Sequence, residues 1–68
     1  MIFQDYLNCE VVVYCVVPYS TFNNVFTGIL TNESLASVTL TSVENEQENR
    51  KLQSITILKS YIVSIGQK

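Results

Sequence analysis

The chain of 68 residues contains no histidine and no tryptophan, one proline, two glycines and two cysteines. Each shortage closes a route. Without histidine the common zinc patterns are absent. With Asp5 as the only aspartate, a nucleophile–base pair would need an unusual arrangement. No enzyme, metal or other cofactor is therefore expected. Cys9 and Cys15 would lie roughly 20 Å apart on an extended strand, at about 3.3 Å per residue, far beyond disulfide reach. Both read as small buried apolar residues kept reduced. Positive charge is scarce too: Arg50, Lys51, Lys59 and Lys68 stand against six acidic residues, for a net charge of −2. A protein that grips nucleic acid electrostatically needs clustered lysine and arginine to displace counterions from phosphates. These four are scattered, or confined to one loop and the terminus.

Long apolar runs are missing as well. The longest, Val11 to Val17, is too short to span a bilayer. Met1 is followed by the acidic "IFQDY" rather than by a basic region and an apolar stretch, so no signal peptide and an intracellular location are expected. Asn32-Glu33-Ser34 fits the glycosylation pattern but reads as a turn. Glu44, Glu46 and Glu48 lack the tight spacing and turn glycine of a calcium loop, and read as a solvated loop.

What the chain has is hydrophobicity, 47% of its residues, dealt out in short, evenly spaced segments. A domain this small hides only about 60% of the surface it exposes when unfolded, and a partner subunit is the stabilising support that the composition leaves open. "IFQDYLN" sets Ile2, Phe3, Tyr6 and Leu7 at helical spacing and predicts a short N-terminal helix ending near Asn8. "CEVVVYCVV" predicts a buried first strand, closed by Pro18 and the turn "PYSTFNN". "VFTGILT" predicts a second strand. "ASVTLTSV" predicts a third, with Ala36, Val38 and Leu40 inward and Ser37, Thr39 and Thr41 outward. "ENEQENR" is a loop, "KLQSITIL" a fourth strand and "YIVSI" a fifth. The connections suit antiparallel neighbours. The expected fold is all-β with a short N-terminal helix: one domain over residues 1–68, a strongly bent five-stranded antiparallel barrel. Gly28, inside the second strand, suits a barrel corner where a side chain would crowd the bend.

"FTGILTNESLASVTL" carries a resemblance. Phe26, Gly28, Leu30 and Leu40 fit the first motif of the Sm-like family, whose SH3-type barrel is built around RNA handling, and "YIVSI" resembles its last strand. Gly28, Leu30 and Leu40 are then structural positions. The resemblance implies a base-binding pocket at Glu33 and Ser37, where RNA-binding members carry Asp and Asn, and at Leu58 and Lys59, where they carry Arg and Gly. Leucine supplies neither guanidinium donors nor planar stacking, and serine lacks the paired amide groups of asparagine. The barrel is expected to be retained and the base pocket lost, so no direct nucleic-acid binding is expected. "FQDYLNCEVVV" and "GILTNESLASVTL" further resemble the Sm-like Gemin subunits of the SMN complex.

That resemblance implies a non-catalytic subunit in cytoplasm and nucleus. It would heterodimerise with another Sm-like protein, the seventh Gemin, with the eighth Gemin and SMN as further contacts, and support Sm-core assembly on spliceosomal small nuclear RNAs. The alternative is a ring subunit that binds single-stranded uridine-rich RNA directly, with tyrosines and phenylalanines available for stacking. Sm-type neighbours join the fourth strand of one barrel to the fifth of the next. "ITIL" and "YIVSI" are apolar on both faces, more than one small core absorbs. The expected partner-binding residues are Ile55, Ile57, Leu58, Tyr61, Val63 and Ile65. Ile62 is expected to face the interior, with the Tyr61-Val63-Ile65 row facing out.

Overall fold

A computed structural model describes residues 3–16, 23–45 and 50–68. The turn expected around Pro18 and the tip of the acidic loop lie outside the described residues. The elements are a 3-10 turn over Gln4–Tyr6, strands β1 (Glu10–Val16), β2 (Asn23–Glu33), β3 (Ser37–Asn45) and β4 (Arg50–Leu58), a second 3-10 turn over Lys59–Tyr61, and strand β5 (Ile62–Gln67). All five strands form one antiparallel sheet in the order β4-β3-β2-β1-β5. Among the described residues, β4 and β5 are its two edges and do not pair with each other.

The N-terminal segment is a single 3-10 turn rather than a helix reaching Asn8. So short a segment cannot offset the cost of nucleating an α-helix. Its apolar spacing also fits the tighter turn, in which residues three apart eclipse: Phe3 is buried and Tyr6 packs against the core. Asn8 ends the turn in the left-handed region at φ 64°, a conformation that asparagine tolerates. Its N–H donates to the Leu30 carbonyl at 2.6 Å, and the Leu30 N–H donates to the Cys9 carbonyl at 3.1 Å. The N-terminus is thereby hung on β2.

Alternation explains most of the sheet. Val11, Val13 and Cys15 of β1 point into the core, with Glu10 and Val16 exposed. In β3, Val38 and Leu40 are fully buried as expected, but Ala36 is exposed because it belongs to the turn preceding the strand. The alternation then breaks. Thr27 pairs with Glu44 while Ile29 pairs with Thr41, so β3 carries one extra residue there, and Ser42 absorbs it at φ 53°. Beyond this bulge the inward position passes from Leu40 to Val43. Leu30 pairs with Leu40 and Asn32 with Thr39, so Thr31 is an answering extra residue in β2. Bulges bend the strand that holds them and increase its twist.

Gly28 lies between these irregularities. A Cβ built on it would come 2.9 Å from the Thr41 carbonyl oxygen and 3.3 Å from Val43 Cγ2. Glycine is needed for this close approach of β3, not for backbone freedom, since no glycine has a positive φ.

The chain link between the edges requires the sheet to curl. Flat, five strands put the outer two roughly 19 Å apart, at about 4.8 Å per step. Only Lys59–Tyr61 separates the end of β4 from the start of β5, and a link of that length reaches at most about 14 Å. The core agrees: one cluster gathers Phe3 with buried residues of all five strands, including Ile57 of β4 and Ile62 of β5.

Candidate functional site

Four residues singled out in the sequence meet at one end of the sheet. Ser37 opens β3 and pairs in register with Leu58, the last residue of β4. Lys59 follows, and its backbone N–H donates to the Ala36 carbonyl at 2.7 Å. Its side chain reaches Glu33, the last residue of β2, with Nζ 2.8 Å from Oε2. Both side chains are largely covered, Glu33 at 8% exposure and Lys59 at 13%. The same carboxylate oxygen accepts the Phe3 backbone N–H at 2.7 Å, and the Lys59 ammonium lies 5.6 Å from the Phe3 ring centroid, within cation–π range. The hydrogen bond from Lys59, helped by the Phe3 N–H, holds the Glu33 carboxyl below its ordinary value of 4.5, against the opposing effect of desolvation.

The β2–β3 turn beside this pair is held by one serine. Ser34 Oγ accepts the N–H groups of Ala36 and Ser37, and the Ser34 N–H donates to the Ser37 carbonyl at 2.8 Å. Leu35, at the tip, is fully exposed. Nothing in the periodicity of the sequence marks Phe3 or Leu35 as part of this corner. Phe3 joins it through a backbone N–H, which is invisible to side-chain patterning.

The six residues expected at a partner surface do not form one row. Ile57 is a core residue at 6% exposure, and Ile55, Tyr61 and Ile65 pack partly against the core. Val63 and Leu58 are exposed, at 59% and 46%. Ile62 faces inward as expected, but Tyr61, Val63 and Ile65 do not share an outer face. Tyr61 belongs to the 3-10 turn, and the β1–β5 register shifts between Tyr14↔Ser64 and Cys15↔Ile62, leaving Val63 as a bulge. One inserted residue reverses the alternation beyond it, which turns Ile65 back toward the core.

The remaining chemistry is sparse. Both cysteines are free; Cys15 is buried and Cys9 only half-buried, more open than expected. Burial pushes the Cys15 thiol up to about 11. Among the described residues no three His, Cys, Asp or Glu side chains gather as metal ligands. Glu44 lies in β3, where Lys51 approaches it at 3.9 Å on the open surface; Glu46 and Glu48 lie outside the described residues.

No protein-family model matches the chain, and neither a curated protein nor a solved structure matches it. Fold and site together define a curled antiparallel β-sheet protein with two edge strands and an internally satisfied ion pair at one end.

Proposed function

We propose that this chain is a non-catalytic Sm-like subunit, a strongly bent barrel that joins a second Sm-like protein by strand addition. By its resemblance to the sixth Gemin, the partner is the seventh Gemin, with the eighth Gemin and SMN beyond it. The role is support of Sm-core assembly on small nuclear RNAs in cytoplasm and nucleus. One observation carries the reading: β4 and β5 are the two sheet edges and a three-residue turn links them. Those are the strands through which the resemblance joins neighbours, and an edge strand offers unpaired main-chain groups to a second chain. Of the six residues that the resemblance puts at the partner surface, the exposed Leu58 and Val63 and the half-buried Ile55, Tyr61 and Ile65 are within a partner's reach, while Ile57 belongs to the core.

The corner built by Glu33 and Lys59 favours protein over RNA as the ligand. Two of the four positions that would grip a base instead neutralise each other, while Leu58 offers no stacking plane. Co-expression with Sm-like proteins, the seventh Gemin among them, followed by native mass measurement, tests the proposal. A one-to-one heterodimer is expected; a chain that purifies alone from every pairing overturns it.

A further inference from the structure

β2 outruns its neighbour. It has eleven residues, and β1 pairs with only the first seven, ending at Glu10↔Ile29. On its other side β3 pairs as far as Glu33↔Val38. Residues 30–33 therefore extend past β1, and among the described residues no strand lies beside them there. An uncovered stretch of sheet edge offers its N–H and C=O groups to other chains, and proteins often lay a loop or a helix over one. Here residues 3–9 take that place. The Asn8 N–H donates to the Leu30 carbonyl, and the Leu30 N–H donates to the Cys9 carbonyl. At the far end the Phe3 N–H reaches Glu33 Oε2 at 2.7 Å. The segment is thus tied to the first and the last residue of the extension.

This cover is thinly held. Of residues 3–9 only Phe3 is buried; Tyr6 and Cys9 are half-buried, and Gln4, Asp5, Leu7 and Asn8 are exposed. Its internal hydrogen bonds, from the Tyr6, Leu7 and Cys9 N–H groups to the Phe3, Gln4 and Tyr6 carbonyls, close short turns that do not persist alone. Segments with few buried apolar contacts open at lower free energy than the core, and they open as units. The Phe3 anchor depends on a single oxygen. Glu33 Oε2 accepts both the Phe3 N–H and the Lys59 ammonium, and a hydrogen bond to an ionised acceptor is roughly twice as strong as a neutral one.

We infer that residues 3–9 are a strap that opens as a unit while the rest of the sheet stays folded, with the Glu33 carboxylate as its latch. Opening uncovers a further stretch of edge, residues 30–33 of β2, and vacates the place of Phe3 in the core. The inference does not depend on the Sm-like reading; it needs only the extension, the strap and the latch.

Amide hydrogen exchange of the full chain, read by NMR, tests it, and Leu30 is the telling position. Its side chain is fully buried and its strand is central, which alone would place its amide among the slowest. Because its N–H is bonded to Cys9, it should instead exchange together with Tyr6, Asn8 and Cys9. These four should exchange at least about tenfold faster than the ladder amides shared by β1, β2 and β3, or about 1.4 kcal/mol. Low urea should quicken the ladder amides and leave these four unchanged, since opening so short a segment exposes little surface. Glu33→Gln keeps the shape of the latch and removes its charge; it should quicken the four at least about threefold more than the ladder amides. Gly28→Ala, which crowds β3 rather than the strap, should do the reverse. Leu30 exchanging at the pace of the ladder amides overturns the inference. So does urea, or Glu33→Gln, accelerating both sets alike, because the segment would then open only with the whole fold. Should Glu33→Gln fail to fold, the wild-type pattern with and without urea decides by itself.

Discussion

Adding one methyl group at Gly28 tests whether β3 presses on β2 as described. In Gly28→Ala the new Cβ would sit 2.9 Å from the Thr41 carbonyl oxygen, 3.3 Å from Val43 Cγ2 and 3.4 Å from Leu40 Cβ. The nearest atom is backbone within a paired strand, so no rotamer change relieves the contact. Overpacking of this kind costs about 1–3 kcal/mol. Alanine recovers about 0.4–1 kcal/mol by restricting the unfolded chain, because the native φ is one that it accepts. The net expected loss is about 1–2 kcal/mol, from a total that scales at about 0.05–0.15 kcal/mol per residue. At about 4–8 °C per kcal/mol for a domain of this size, the thermal midpoint should fall by about 5–15 °C. Gly28→Val adds branching and should cost about 2 kcal/mol or more. Gly66→Ala is the control: it is also in a strand, yet nothing lies within 4 Å of its Cβ position. Its midpoint should hold or rise slightly. Thermal unfolding by circular dichroism of the three variants decides. If Gly28→Ala melts with the wild type, the close approach of β3 is wrong, and so is the bend built on it.

Three further outcomes are expected. A short uridine oligomer should show no salt-sensitive fluorescence-anisotropy change with the purified chain; micromolar, salt-sensitive binding would restore the RNA reading. Glu33 is held below its ordinary value of 4.5, so its contribution to stability is complete above that pH and is lost as pH falls through the lower native value; acid titration followed by circular dichroism should show this loss, and Glu33→Gln should flatten that part of the curve. Thiol alkylation at neutral pH should modify the half-buried Cys9 well before Cys15, whose thiol burial pushes to about 11; equal rates measured by peptide mass would mean that the core opens readily.

Five strands were legible because each is a short run of β-branched and apolar residues bounded by turn chemistry. Alternation then identified Val38, Leu40 and Ile62 as inward. It failed wherever the chain inserts a residue. Ser42 and Val63 are ordinary residues in ordinary strand sequence, and nothing local marks them as bulges. A bulge is a relation between two strands, so a pattern read along one strand cannot contain it. Each slip reverses every assignment beyond it, and for that reason alternation places Ile65 outward although it lies against the core. The N-terminal helix failed differently: a spacing of three residues fits a 3-10 turn as well as an α-helix, and length decides between them.

The corner at Glu33 and Lys59 was legible only through the resemblance, since 26 positions separate the two residues and no periodicity relates them. Read separately, an acidic residue before a turn and a lysine in a linker are both solvated surface. Their meeting follows from topology. β2 ends at Glu33 and β4 ends at Leu58, on either side of β3, whose first residue is Ser37. The turn after β4 must cross this same end of the sheet to reach β5, which carries Lys59 over the Phe3 ring to the carboxylate. An unpaired carboxylate at 8% exposure would be costly to bury, so the lysine and the Phe3 N–H make this crossing electrostatically possible. The same crossing gathers Tyr61 with Phe26, Asn24 and residues 55–58 of β4 around one cavity. The ion pair that fills one end of the sheet thus also fixes the path of the β4–β5 link that carries Tyr61 there.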